Sequence, residues 1–189
     1  MTMHNITGQI TVIAGPMYSG KTTELLTYVE IYRLGNKPYI IFKPIIDDRY
    51  GAEEIRSHSG MVEKAIPIQT AQKCLEHLGE EKAVFFDEVQ FFDEGLADIA
   101  KALRKRGKDI ICAGLDMSFK ENPFLTSVKL MGIADKVIKK KAVCHECGEY
   151  NGIISYKLVG NESEIDVGGM EKYVAVCMDC YEKLKSKHL

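Results

Sequence analysis

The sequence predicts an α/β fold: a mainly parallel sheet flanked by helices, followed by a small C-terminal domain held together by metal. Three observations predict it. Up to about residue 142, short apolar runs alternate with segments of helical spacing, the signature of strands buried on both faces by crossover helices. Residues 15–22 read Gly-Pro-Met-Tyr-Ser-Gly-Lys-Thr, a GxxxxGK[ST] phosphate-binding loop set between a strand-like and a helix-like segment. Beyond residue 142, short strand-like pieces are bracketed by two Cys-x-x-Cys pairs.

The elements follow in order. Residues 9–14 form a first β-rich strand, and residues 23–34 carry Leu25, Leu26, Val29 and Tyr32 at helical spacing. Residues 38–43 read as a second strand. The polar stretch 45–60 fits neither period and is expected to be a loop. Ile66-Pro67 reads as a break, and residues 70–78 as a helix after it. Residues 83–87 (Ala-Val-Phe-Phe-Asp) form a third, almost wholly apolar strand. Leu96, Ile99, Ala100 and Leu103 mark a helix over 96–106, with Gly107 as its stop. Residues 109–115 are a fourth core strand, and Val137-Ile138 a further short one. In the tail, residues 153–158 and 173–176 are strand-like. The boundary falls at 142/143, giving domains 1–142 and 143–189.

Composition narrows the classes. A hydrophobic content of 46% and a formal net charge of −2 suit a soluble globular protein with no electrostatic call for nucleic acid. The basic run Lys139-Lys140-Lys141 is read as a solvated edge. No apolar stretch is long enough to span a bilayer, and Gly15 interrupts the first apolar run before it forms a secretory signal. A cytoplasmic location is the expectation. The six cysteines are then thiols or metal ligands instead of disulfides. Cys74 and Cys112 fit their helix and strand as small buried hydrophobes.

Each position of the loop has a physical task. Gly15 and Gly20 let the backbone N–H groups of residues 15–22 (Pro16, Met17, Tyr18 and Ser19 between them) converge on phosphate oxygens. Lys21 adds a positive charge to the β- and γ-phosphates, and the Thr22 hydroxyl is a Mg²⁺ ligand. Asp87 and Glu88 end the third strand, and carboxyl ends of parallel strands face the ligand crevice. Asp87 there suits Mg²⁺, while Glu88 is a candidate base. If Glu88 deprotonates a substrate hydroxyl the chain is a kinase; if it orients water, an ATPase. A non-catalytic nucleotide-binding module is a third reading.

Cys144, Cys147, Cys177 and Cys180 are two knuckles offering four thiolates to a structural Zn²⁺. Such a site contributes about 10 kcal/mol to ordering a tail too small for its own core. His145, inside the first knuckle, is left to the surface. Residues 160–172 form a loop anchored at both ends by the metal, either a lid or a surface excursion.

Together these residues resemble the thymidine kinase family of the zinc-containing, lasso-loop type (type II). The match spans nearly the whole chain: residues 15–22, Asp47-Asp48-Arg49-Tyr50, Asp87 to Phe92, Leu115 to Phe119, both Cys pairs, and Gly168 to Tyr173. The resemblance implies a RecA-like sheet, and ATP, Mg²⁺ and thymidine as ligands. It implies Glu88 as the base for the 5′-hydroxyl, with Lys21 and Arg49 assisting catalysis. Asp47 and Arg49 would serve the phosphate donor, with Gln90 grouped beside the nucleotide, its partner open between phosphate and a neighbouring loop. Met17, Phe91, Leu115 and Phe119 would line the base pocket. The lasso would hold the pyrimidine through Glu164, Ile165, Asp166, Val167 and Gly168, with Tyr173 closing the site; this favours the lid. Deoxyuridine as an alternative acceptor, dTTP as feedback inhibitor and a homotetramer are also implied.

Overall fold

In the computed structural model, residues 7–47, 51, 53–57, 59–159, 163 and 167–187 are described, Lys187 by its backbone alone. Strand β1 (Ile10–Ala14) runs into the phosphate loop and helix α1 (Lys21–Leu34). Then come β2 (Tyr39–Pro44), β3 (Glu54–Arg56), β4 (Val62–Lys64), β5 (Ile66–Ile68) and β6 (Ala83–Phe86). Helix α2 (Leu96–Lys105), β7 (Asp109–Gly114), α3 (Leu125–Ile133) and β8 (Lys136–Lys139) complete the first part. The tail holds β9 (Ile154–Lys157), β10 (Tyr173–Val176) and α4 (Met178–Lys187).

Six strands form one sheet in the order β5-β2-β6-β7-β1-β8, and every pair in it is parallel. Alternation along each strand splits its side chains between two cores. Val84 and Phe86 of β6 join Leu96, Ala100, Leu103 and Leu130 under α2 and α3. Ala83 and Phe85 join Leu25, Leu26 and Val29 under α1. All four β6 side chains are fully buried, which is why its sequence is unbroken apolar. Because β1, β6 and β7 are parallel neighbours, residues 15, 87 and 115 all emerge at the carboxyl ends of the strands.

Several expectations are corrected. The stretch expected as a loop contains β3, which pairs antiparallel with β4 and buries Ile55 against the α1 face. Ile66-Pro67 is not a break but lies in the edge strand β5, where a residue without an N–H is tolerated. The expected helix at 70–78 is a 3₁₀ turn over Ala71–Glu76. Its three-residue repeat puts Ala71 and Cys74 on one buried face, and Asp93 Oδ2 accepts the Ala71 N–H at 3.0 Å. Helices α3 and α4 were not anticipated. The basic run 139–141 begins at the end of the edge strand β8, with Lys139 on Asp116 at 3.2 Å and Lys140 on Glu24 at 3.0 Å. Cys74 and Cys112 are buried as expected, and burial raises both thiols, Cys74 to about 11.

The tail packs β9 and β10 antiparallel and places Ile154, Val174, Val176 and Tyr181 around three of its cysteines, Cys144, Cys177 and Cys180. It touches the sheet half where the Met17 N–H donates to Ser155 Oγ at 3.0 Å and the Tyr181 hydroxyl to the Phe119 carbonyl at 2.9 Å. Among the described residues, no helix is long and apolar enough to cross a membrane.

Candidate active site and metal centre

Between β1 and α1 the chain curls tightly. Gly15 has φ +152°, and a Cβ there would lie 2.6 Å from the Lys140 carbonyl oxygen, so the loop can pass the end of β8 only with glycine. Tyr18 and Gly20 are both left-handed. Ser19 Oγ and Lys21 Nζ donate to the Pro16 carbonyl, at 2.8 and 2.7 Å, holding the turn closed from within. Lys21 and Thr22 then open α1, whose N-terminus favours an anion. Thr22 Oγ1 donates to Asp87 Oδ2 at 3.3 Å. A hydroxyl and a carboxylate oxygen thus stand side by side, a donor pair that suits the hard Mg²⁺ ion.

Asp87 follows β6 and is buried; its N–H donates to the Phe42 carbonyl. The next residue, Glu88, sits at φ 51°, ψ 46°. A left-handed non-glycine residue costs on the order of 1 kcal/mol or more and gathers at functional sites. A 3₁₀ turn over Val89–Phe91 follows. Gln90 donates from Nε2 to Glu88 Oε2 at 2.5 Å, and its Oε1 accepts the Leu115 N–H at 2.9 Å.

One cavity of about 500 Å³ lies over these elements. Met17, Tyr18, Gly20, Lys21 and Thr22 line its phosphate-loop side. Glu88 and Gln90 line it as well, together with the apolar side chains of Phe91, Leu115 and Phe119. The tail closes it with Val167, Gly168 and Tyr173. Phe119 and Tyr173 approach at 6.4 Å between ring centres, and Lys157 Nζ stands over both rings, at 4.8 and 5.7 Å. The structure therefore brings together every described residue expected at the base pocket. Glu164, Ile165 and Asp166 lie outside the described residues, as does Arg49. Asp47 is buried with its Oδ2 4.0 Å from Lys43 Nζ. Lys43 itself is 1% exposed and donates to the Gly51 and Glu54 carbonyls. Sequence reasoning missed Arg56, Phe124 and Ser155 on the cavity wall; no spacing rule points to them, because strand pairing and chain crossing bring them there.

The metal centre is compact. The Sγ atoms of Cys144, Cys147, Cys177 and Cys180 all lie within 4.8 Å of one another. Tetrahedral Zn²⁺ with bonds near 2.3 Å sets sulfurs about 3.8 Å apart, so the cluster fits with small adjustment. Burial works against the Cys144 thiolate, but the N–H groups of Cys147, Cys177 and Glu146 outweigh it and bring the thiol down to about 6. Hydrogen bonding to Cys177, and then burial, push the Cys180 thiol up to about 12. Four thiolates this close repel unless a cation neutralises them, which is the chemistry a divalent ion supplies. His145 is exposed and outside the cluster.

A model of the family described as Thymidine kinase matches residues 8–181. The chain belongs to the thymidine kinase family. A thymidine kinase from Pseudothermotoga lettingae is 55% identical over 182 residues, covering 96% of this chain and 98% of its own. One from Bacteroides thetaiotaomicron is 38% identical over 180 residues, 95% of this chain and 90% of its own. The Holliday junction branch migration motor RuvB of Thermotoga maritima overlaps 69% of this chain and 37% of its own. Its TM-score is 0.39 and its identity 12%, a likeness that carries no argument. Membership makes the chain a nucleotide-binding, kinase-type transferase, and this chain's phosphate loop, acidic pair and four cysteines all lie within the matched span.

Proposed function

We propose that the protein transfers the γ-phosphoryl group of ATP to the 5′-hydroxyl of thymidine, giving dTMP and ADP. The observation that carries this reading is the shared cavity: phosphate loop, acidic turn and cysteine-stapled tail line one space. A loop that serves only hydrolysis needs no second compartment, whereas an apolar wall beside Glu88 suits a nucleobase.

In this reading the loop amides and Lys21 hold the donor phosphates, with Asp47 and Arg49 also on the donor side. Thr22 and Asp87 hold Mg²⁺, which neutralises phosphate charge when bound. Met17, Phe91, Leu115 and Phe119 enclose the thymine ring, and Glu164, Ile165, Asp166, Val167, Gly168 and Tyr173 take part in binding it. Glu88 accepts the 5′-hydroxyl proton as that oxygen attacks the γ-phosphorus and the bond to the ADP oxygen breaks. Catalysis is chiefly positioning and charge stabilisation, with Arg49 against charge on the transferred group. Residues 1–142 form the donor domain, and 143–189 the zinc-held acceptor lid. Deoxyuridine, which lacks only the methyl group, is a second acceptor. Inhibition by dTTP, a homotetramer and a cytoplasmic location belong to the same proposal.

The test is purified protein with Mg-ATP and a panel of nucleosides, scored for nucleoside monophosphate and free phosphate. Thymidine is expected to give dTMP; free phosphate without any monophosphate sinks the proposal. Glu88→Gln is expected to lower turnover by about 10²–10⁴-fold with zinc retained. Near-normal turnover in that variant refutes the base assignment.

A further inference from the structure

We infer that Gln90 is a positioning residue, whose amide braces the Glu88 carboxylate against the Leu115 backbone so that base and acceptor-pocket wall hold one spacing. The inference rests on the proposed role of Glu88 as base.

Three observations converge on this amide. Its two ends are used at once, Nε2 on Glu88 Oε2 at 2.5 Å and Oε1 on the Leu115 N–H at 2.9 Å. The orientation follows from chemistry: a backbone N–H only donates, so the oxygen faces Leu115 and the NH₂ group faces the carboxylate. Second, the space is built around it. A Cβ on Gly114 would lie 2.6 Å from Gln90 Oε1 and 2.7 Å from Val89 Cγ2, so β7 can approach the turn only with glycine there. Third, the far end of the brace is anchored. Ser127 Oγ in α3 donates to the Leu115 carbonyl at 2.6 Å, so the N–H and the C=O of Leu115 are both held by side chains.

Gln90 is itself buried, and Leu115 lines the cavity. Glu88 sits in a left-handed conformation at the start of a short turn, and the amide adds a side-chain restraint to its carboxylate there. A carboxylate offers two oxygens and about four lone pairs, so the amide contact at Oε2 does not by itself preclude accepting a substrate proton. The brace spans two strands: Glu88 follows β6 and Leu115 follows β7. It therefore ties the reacting group to the wall that seats the acceptor, and not to the phosphate loop beside which the sequence grouped Gln90.

The experiment uses Gln90→Met, which keeps length but loses the paired bonds, and Gln90→Asn, which keeps the amide one methylene short. Both are made in the full chain, in wild-type and Glu88→Gln backgrounds, with zinc content and circular dichroism reporting the fold. Each is expected to lower kcat with thymidine about 10–100-fold while KM for thymidine and for Mg-ATP stays within about threefold. Added to Glu88→Gln, neither is expected to lower the residual turnover further, because the brace acts through that carboxylate. Unchanged kcat in the variants overturns the inference, as does a raised KM for Mg-ATP at unchanged kcat. If Glu88→Gln loses most of its turnover yet the losses multiply on what remains, Gln90 acts elsewhere and this inference alone fails. Near-normal turnover in Glu88→Gln overturns the base reading and the brace with it. If Gln90→Met does not fold, Gln90→Asn carries the same outcomes.

Discussion

The sheet that bears the phosphate loop and the tail that covers it are held together by different means. In the sheet, fully buried Phe42, Phe85 and Phe86 pack among leucines and isoleucines on both faces of parallel strands. In the tail, two four-residue strands and one helix enclose a small cluster in which three of seven buried side chains are cysteines. A core of that size does not repay the entropy of ordering the chain around it, and a metal held by the four cysteines, as proposed, would make up the difference. The contrast teaches that the phosphate side of the cavity rests on a large apolar core, whereas in the proposed reading its cover rests on four thiols and the metal they would hold.

The largest test of the contrast is to take the metal away. Cys177→Ser, or a strong chelator, is expected to abolish zinc binding and reduce dTMP formation by about 100-fold or more. Amide exchange protection in β9, β10 and α4 is expected to collapse while that of β1, β6 and β7 persists. Equal loss of protection in both regions would show that one cooperative unit spans them.

The converse experiment attacks the sheet. Phe86 stacks on Phe42 at 5.5 Å and meets Phe92 edge-on at 6.0 Å. Phe86→Ala is expected to cost about 3–5 kcal/mol in denaturant unfolding, with zinc still bound stoichiometrically under native conditions. Zinc loss in the folded variant would mean the tail borrows its stability from the sheet.

The smallest effect concerns pH. Burial first, and then the bond from its hydroxyl to Asp109 Oδ2 at 2.8 Å, holds the Tyr32 phenol above its ordinary value of 10.0. A raised folded-state pKa means this contribution is fully present below pH 10.0 and is lost as pH rises through the folded value. Tyr32→Phe is expected to lose about 1 kcal/mol near neutrality and to show a shallower alkaline decline in melting temperature. An unchanged alkaline slope would remove Tyr32 from the account. Since Tyr32 pins α1 to β7, zinc retention is expected to be indifferent to it.

How much was legible depended on the reach of each signal. Strands β1, β6 and β7 could be read because full burial demands an unbroken apolar run. The three residues of β3 are too few for any period, and only pairing with β4 makes them a strand. Helix α3 escaped because Leu125 and Val128 are exposed while Leu130 is buried, so its apolar residues do not share one face. Asp47 carried a donor-side expectation, but its buried neighbour Lys43, which donates to the Gly51 and Glu54 carbonyls, was invisible in the pattern.

By itself the sequence determined which chemistry is present: a phosphate loop, an acidic pair after a core strand, and four thiols at metal spacing. Those are local patterns, in which residues a few positions apart are constrained by the backbone alone. Tertiary structure decided what the pieces do to one another. Gln90 meets Leu115, 25 residues away, because β6 and β7 are neighbours and Gly114 lacks a Cβ. Ser155 meets Met17 across 138 residues because the tail folds back onto the loop. Such contacts depend on strand register and close approach, and no spacing along the chain encodes them.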